Sequence, residues 1–200
     1  DGFKEAEWVD MVVRYSKTWP MVQVVFCDLT APDVITQLDR FKELDSVVGV
    51  RQIVGRAPEE DARTGTNALL NNPDFVKGLH AAAERGFSFD LQLVPELMPR
   101  MAEIVAQIPN LKVVLCHAGS PYDHSTKGLD NWPAQLRYLS ELPNVWCKLS
   151  SLGMFDHDWT VAKIKPIVNQ VLAQFGIERV MFGSNFPVDS LSSDYHTLFH

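Results

Sequence analysis

Cysteine is scarce: Cys27, Cys116 and Cys147 are the only three in 200 residues. The number is odd, no Cys-x-x-Cys occurs, and each lies inside an apolar, β-like run. That argues against a disulfide framework or a cysteine zinc site, and for buried free thiols in a reducing compartment, so the expected location is cytoplasmic. Basic clusters are missing as well. No stretch of five or more Lys/Arg occurs, the aromatics do not alternate with basic residues, and 18 basic against 25 acidic side chains leave a net charge of −7. Nucleic acid and anionic membrane are therefore poor partners. No apolar run approaches the roughly 20 residues that a spanning helix needs. The first residue is Asp1 and not Met, so the true N-terminus is expected to lie outside these residues.

An apolar fraction of 46% and a charged fraction of 22% are ordinary for a soluble globular chain, and the length suffices for one domain with a sizeable core. Six β-branched runs read as buried strands: 21–29, 47–54, 87–94, 111–117, 144–150 and 179–185. Each is a short apolar segment bounded by turn signals, as expected of parallel strands covered on both faces. Between them lie helical patterns, one with Val34, Leu38, Phe41 and Leu44, another with Leu97, Met101, Ile104, Val105 and Ile108. A third, carrying Val161, Ile164, Val168, Val171, Leu172 and Phe175, contains Pro166, which should break or kink it. Pro73 after Asn72 suits a helix start, and Gly86 and Gly176 suit helix ends.

A first helix over 3–18 precedes five βα units and a final strand followed only by a tail. Such alternation gives a parallel sheet with right-handed crossovers. Links from helix to strand are short, as at Gly86–Phe87. Links from strand to helix are long, at 55–72, 118–133 and 151–158. No glycine-rich phosphate turn follows any strand, which weakens a nucleotide-binding sheet. The fold predicted is α/β, one incomplete (β/α)8 TIM-barrel domain over residues 1–200.

Each predicted strand carries polar residues toward its C-terminal end: Asp28, then Arg51, then Asp90 with Gln92, then His117, Lys148 and Asn185. Six such residues at equivalent places are hard to explain by packing, because each would need its own offset for about 1–3 kcal/mol of desolvation. In a barrel these ends converge on one mouth. A neutral imidazole at His117 can ligate a divalent metal or act as a base near pH 7. Lys148 and Arg51 either pair with Asp28 or Asp90, or hold a substrate carboxylate or a developing oxyanion. Asp90 and Gln92 share a strand face with Ser88, opposite Phe87, Phe89 and Leu91.

The runs Val-Gly-Val-Arg at 48–51, Phe-Asp-Leu-Gln at 89–92, Leu-Cys-His-Ala-Gly at 115–119, Cys-Lys-Leu-Ser at 147–150 and Met-Phe-Gly-Ser-Asn-Phe-Pro-Val-Asp at 181–189 resemble the amidohydrolase 2 family. The nearest branch is the lactonase group of fuconolactonase and pyrone-dicarboxylate lactonase enzymes. The resemblance implies a TIM barrel in which the six strands are the third to eighth, without the first two βα units or the last helix. A barrel so cut has two unpaired edges and an exposed core, so these residues alone are expected to be inactive, poorly soluble or associated through an edge. A homodimer is compatible with that.

The resemblance also implies a hydrolase that opens a lactone or related ester of a small sugar acid or carboxylate, an anionic or polyhydroxylated substrate. His117, Asn185, Lys148 and Asp189 would be catalytic. Arg51, Asp90, Gln92 and Asp28 would bind substrate. His117 is the one candidate metal ligand, for a single zinc or manganese ion or for none. In the family the position of Asn185 is usually an aspartate that binds metal and activates water; an amide cannot take up that proton. A decarboxylase of the same barrel family, or a degenerate binder of small carboxylates, are the competing readings.

Overall fold

The computed structural model describes residues 2–16 and 19–199. Helix α1 (Gly2–Tyr15) leads into β1 (Gln23–Phe26), α2 (Val34–Lys42) and β2 (Val47–Ile53). Helices α3 (Pro58–Thr64) and α4 (Pro73–Glu84) precede β3 (Ser88–Gln92), α5 (Met98–Ala106) and β4 (Val113–Leu115). Then come α6 (Thr126–Ser140), β5 (Val145–Leu149), α7 (Val161–Phe175), β6 (Val180–Phe182) and a short α8 (Tyr195–Phe199). The six strands form one parallel sheet in chain order, β1 to β6. Among the described residues the sheet does not close, and the fold is an incomplete (β/α)8 barrel.

Alternation of side chains gives the sheet its two faces. Register places Val50 beside Phe89, Phe89 beside Val113 and Val113 beside Val145. These four are fully buried under the helices, as are Leu91, Leu115 and Cys147 one pleat further along. The opposite face carries Arg51 beside Asp90 in the β2–β3 ladder, with Lys148 on β5. One pleat therefore separates the apolar core from the polar candidates. The helix layer lies close: a Cβ at Gly78 of α4 would meet the Leu29 carbonyl oxygen at 2.2 Å, so only glycine permits this approach.

At the first edge α1 is anchored by a buried carboxylate. Asp10 Oδ1 accepts from the Ser46 amide at 3.1 Å and from the Ser46 hydroxyl at 2.7 Å, and Asp10 Oδ2 pairs with Arg14 at 2.6 Å. Gln23 donates to the Ala6 carbonyl at 3.0 Å. Each outer strand has one neighbour only, and apolar side chains there are open: Phe26 is 67% exposed and Phe182 55%.

All six strands lie within their predicted ranges but are shorter, because apolar residues continue past the hydrogen-bonded ladder. α1 ends at Tyr15, and the predicted end at 17–18 lies outside the described residues. α7 runs through Pro166 as one helix, without the break that is one of the two expected outcomes: its buried Ile167, Val171 and Phe175 hold the helix across the missing amide bond. The 118–133 link is also shorter than expected. α6 starts at Thr126, where the Ser125 hydroxyl accepts from the Gly128 amide at 3.1 Å, and Pro133 lies inside it. The link at 55–72 contains α3 and a 3-10 turn at Thr66–Asn71. The tail after β6 has order of its own: the Phe199 ring meets Phe182 edge-on with centroids 4.9 Å apart and Tyr195 at a tilt with centroids 4.7 Å apart. The Asn72–Pro73 start of α4 is as predicted, with Asn72 Oδ1 accepting from the Asp74 amide at 2.9 Å. Gly86 and Gly176 both take positive φ. Among the described residues no helix is long and apolar enough to cross a membrane.

Candidate active site

Arg51 lies on β2, Asp90 and Gln92 on β3 and Lys148 on β5, all pointing from one face of the sheet. His117, expected to end the fourth strand, instead lies two residues past the last strand residue Leu115, in a 3-10 turn at His117–Gly119. Here the chain holds four successive left-handed residues, His117, Ala118, Gly119 and Ser120, with φ between 49° and 70°. Three of them are not glycine, and left-handed geometry costs such residues about 1 kcal/mol or more each. The Trp132 indole braces the turn by donating to the Ala118 carbonyl at 3.0 Å.

The turn places the imidazole among the strand residues. His117 Nε2 lies 3.4 Å from Arg51 Nη2, and the same Arg51 nitrogen donates to Gln92 Oε1. His117 Nδ1 lies 2.9 Å from Ser150 Oγ. Lys148 Nζ pairs with Asp90 Oδ2 at 2.8 Å, and Cys116 Sγ lies 3.6 Å from the same oxygen. Of the two partners predicted for the strand lysine, the structure therefore selects Asp90. Burial, reinforced by the charges of Arg51 and Lys148, pushes the His117 pKa from 6.5 down to about 4 against the opposing pull of Asp90. The imidazole is neutral at physiological pH. Burial and the Asp90 carboxylate push the Cys116 thiol up to about 12, so it is no thiolate nucleophile.

A second group lies beside the first. Asn185, at φ 55°, donates from Nδ2 to Ser151 Oγ and to Asp189 Oδ1, both at 2.8 Å. Ser151 donates to the same Asp189 oxygen at 3.3 Å and itself takes φ 57°. Asp189 is only 3% exposed. Consecutive residues, Ser150 and Ser151, thus join the His117 group to the Asn185–Asp189 group.

Asp28 stands apart. Its Oδ1 accepts from the Thr30 amide at 2.9 Å, the Thr30 hydroxyl at 2.7 Å and Gln52 Nε2 at 3.3 Å. Burial raises this carboxyl, but the hydrogen bonds outweigh it and leave the pKa below the ordinary value. The structure thus gathers Arg51, Gln92, His117, Lys148 and Asp90, sets Asn185 and Asp189 next to them, and leaves Asp28 in a turn at the edge of the sheet.

Sequence reading missed Ser150 and Ser151. The signal was present, since Ser150 closes the Cys-Lys-Leu-Ser run at the end of β5, but serine after a strand is also an ordinary turn residue. An apolar cavity of about 330 Å³ lies elsewhere, between α7, β6 and the tail, and touches the site only at Ser150, Ser151 and Asp189.

A divalent ion fits these residues poorly. Among the described residues no group of three or more His, Cys, Asp or Glu could hold one. The Nε2 atom of His117 faces a guanidinium, and its Nδ1 is taken by Ser150. An ion beside this imidazole would meet the positive charges of Arg51 and Lys148.

The model of the family described as Amidohydrolase (Amidohydro_2) matches residues 5–199. An uncharacterized protein of Sinorhizobium fredii is 33% identical over 198 residues, 98% of this chain and 66% of its own length. An L-fucono-1,5-lactonase of Burkholderia multivorans is 31% identical over 139 residues, 64% of this chain and 47% of its own length. The chain thus spans from about half to two-thirds of the length of these relatives. The crystal structure of a Burkholderia multivorans amidohydrolase with bound HEPES superposes with a TM-score of 0.82 at 25% identity, covering 99% of this chain and 70% of that one. With the family model matched along nearly all of its length, the chain belongs to the amidohydrolase family.

Proposed function

We propose that the protein carrying this sequence hydrolyses a lactone of a small sugar acid or a related carboxylate ester. The observation that carries the reading is the neutral imidazole of His117 framed by two cations, Arg51 and Lys148, on the mouth face of the sheet. The similarity to an L-fucono-1,5-lactonase supports the substrate class.

Water attacks the ring carbonyl carbon, the acyl carbon–oxygen bond of the ring breaks, and the ring oxygen leaves as a hydroxyl by taking up the proton that the water gave to Asp189. Arg51 keeps donors beyond the one given to Gln92 and His117, and these hold the carbonyl oxygen or a substrate carboxylate in the planar geometry that a guanidinium favours. Lys148, partly neutralised by Asp90, adds positive potential where the oxyanion develops. The unprotonated Nε2 of His117, 3.4 Å from Arg51 Nη2, orders the attacking water once the guanidinium turns to the substrate oxygen. Asp189 takes the water's proton, the task that the amide of Asn185 cannot perform, and Asn185 and Ser151 hold that carboxylate in place. Gln92 fixes the Arg51 fork. Asp28, already held by Thr30 and Gln52, is the weaker candidate for the base.

The test is a panel of sugar-acid lactones and pyrone esters offered to the full natural chain, with acid release on ring opening as the readout, with and without chelator. His117→Ala and Arg51→Ala should each lower kcat/KM by more than about tenfold, roughly 1.4 kcal/mol of transition-state stabilisation. Turnover that survives His117→Ala within tenfold removes the imidazole from the reaction.

A further inference from the structure

We propose that Ser150 is the positioning residue for His117: its hydroxyl accepts the proton of Nδ1 and holds the ring in the tautomer whose bare Nε2 meets Arg51. A guanidinium carries donors only, so the Nε2 atom 3.4 Å from Arg51 Nη2 can be satisfied only as an acceptor. The single proton of the imidazole is then on Nδ1, and Ser150 Oγ at 2.9 Å is its partner. His117 and Ser150 are each only 4% exposed, so bulk water does not replace the contact.

The surrounding chain is arranged to permit it. A Cβ at Gly183 would lie 3.2 Å from Ser150 Cβ and 3.1 Å from Lys148 Cδ, so the absence of a side chain on the neighbouring strand gives both residues room. Ser150 directly follows the last strand residue Leu149, and Ser151 then turns the chain with φ 57°. The same reasoning excludes Ser150 as a nucleophile. An oxygen that accepts from Nδ1 cannot have its own proton withdrawn by that nitrogen, and the other ring nitrogen faces Arg51.

The inference rests on the reading of His117 as the group that orders water, but its test does not need substrate. In the full natural chain labelled with nitrogen-15, long-range proton–nitrogen spectra of the His117 ring should show Nδ1 protonated and Nε2 bare. Ser150→Ala leaves the Nδ1 proton without its buried partner, so the His117 ring resonances should shift or broaden and kcat on a responsive lactone should fall by tenfold or more with little change in KM. Ser150→Thr, which keeps the hydroxyl, should restore both. A wild-type ring protonated on Nε2 overturns the proposal, and so does a Ser150→Ala ring whose spectrum is unchanged. Should Ser150→Ala fail to fold, the wild-type and Ser150→Thr spectra still decide it. The predicted tautomers with no turnover on any lactone would reject the hydrolase reading and leave the role of Ser150 standing.

Discussion

The inner strands β2 to β5 and the outer strands β1 and β6 come from similar β-branched runs, yet they live in different surroundings. Phe89 on β3 is fully buried and packs edge-on against Phe75 of α4, with ring centroids 6.1 Å apart. Phe26 on β1 is 67% exposed. The difference teaches that burial in this sheet is set by neighbours on both sides and not by the residues of a strand. The site follows the same rule, since its contacts join residues 33 to 66 positions apart across the inner strands.

The sharpest way to break this comparison is at the core. Phe89→Ala should cost about 3–5 kcal/mol, because a large ring is removed from a place with helix on one side and strands on two. Urea unfolding measures it. A loss below 1 kcal/mol would mean that the inner strands are no better packed than the outer ones.

Next in size is the ion pair that spans β3 and β5. Lys148→Met leaves the Asp90 carboxylate, 6% exposed, without its counter-charge and should cost about 3 kcal/mol. Asp90→Asn leaves the ammonium, which is 25% exposed and partly solvated, and should cost only about 1 kcal/mol. The double variant should fall short of the sum, as contacting residues do. Equal single costs would show that both groups are equally dry.

The imidazole gives a third measurement. The His117 pKa is about 4 in the folded protein against 6.5 when free, so between these values the unfolded chain binds more protons. The stability this group contributes is complete above about pH 6.5 and is lost as pH falls toward about 4, on the order of 3 kcal/mol in all. Carboxylates titrate in the same range, so the comparison is with His117→Gln, which should lose less stability over that window. Parallel curves for the two proteins would mean that the imidazole is not buried in its neutral form.

Much of this arrangement could be read from the residues. The strand runs are apolar and β-branched, and Arg51, Asp90, His117 and Lys148 stand out because charge or imidazole interrupts them. Which groups touch could not be read in the same way. The Lys148–Asp90 pair follows from register across three strands, and register is a property of the assembled sheet. Asp28 looked equivalent to Asp90 because both end apolar runs; only the turn made by Thr30 separates them. The start of α6 was hidden because Pro133 looked like a boundary, whereas the Ser125 cap lies eight residues earlier.

The smallest effect belongs to the outer edge, and it is the most informative about the natural chain. With 67% of its surface already in water, Phe26 has little burial to lose, so Phe26→Ala should change stability by less than about 1 kcal/mol. Val22 and Val24 beside it are also exposed, and β1 pairs on one side only. An apolar strand edge of this kind is a template for pairing with another strand. Phe26→Lys should therefore lower any concentration-dependent association seen by sedimentation while leaving the urea midpoint nearly unchanged. If Phe26→Ala instead costs 2 kcal/mol or more in the full natural chain, the ring is covered there, and further polypeptide lies against β1 where these residues leave it open.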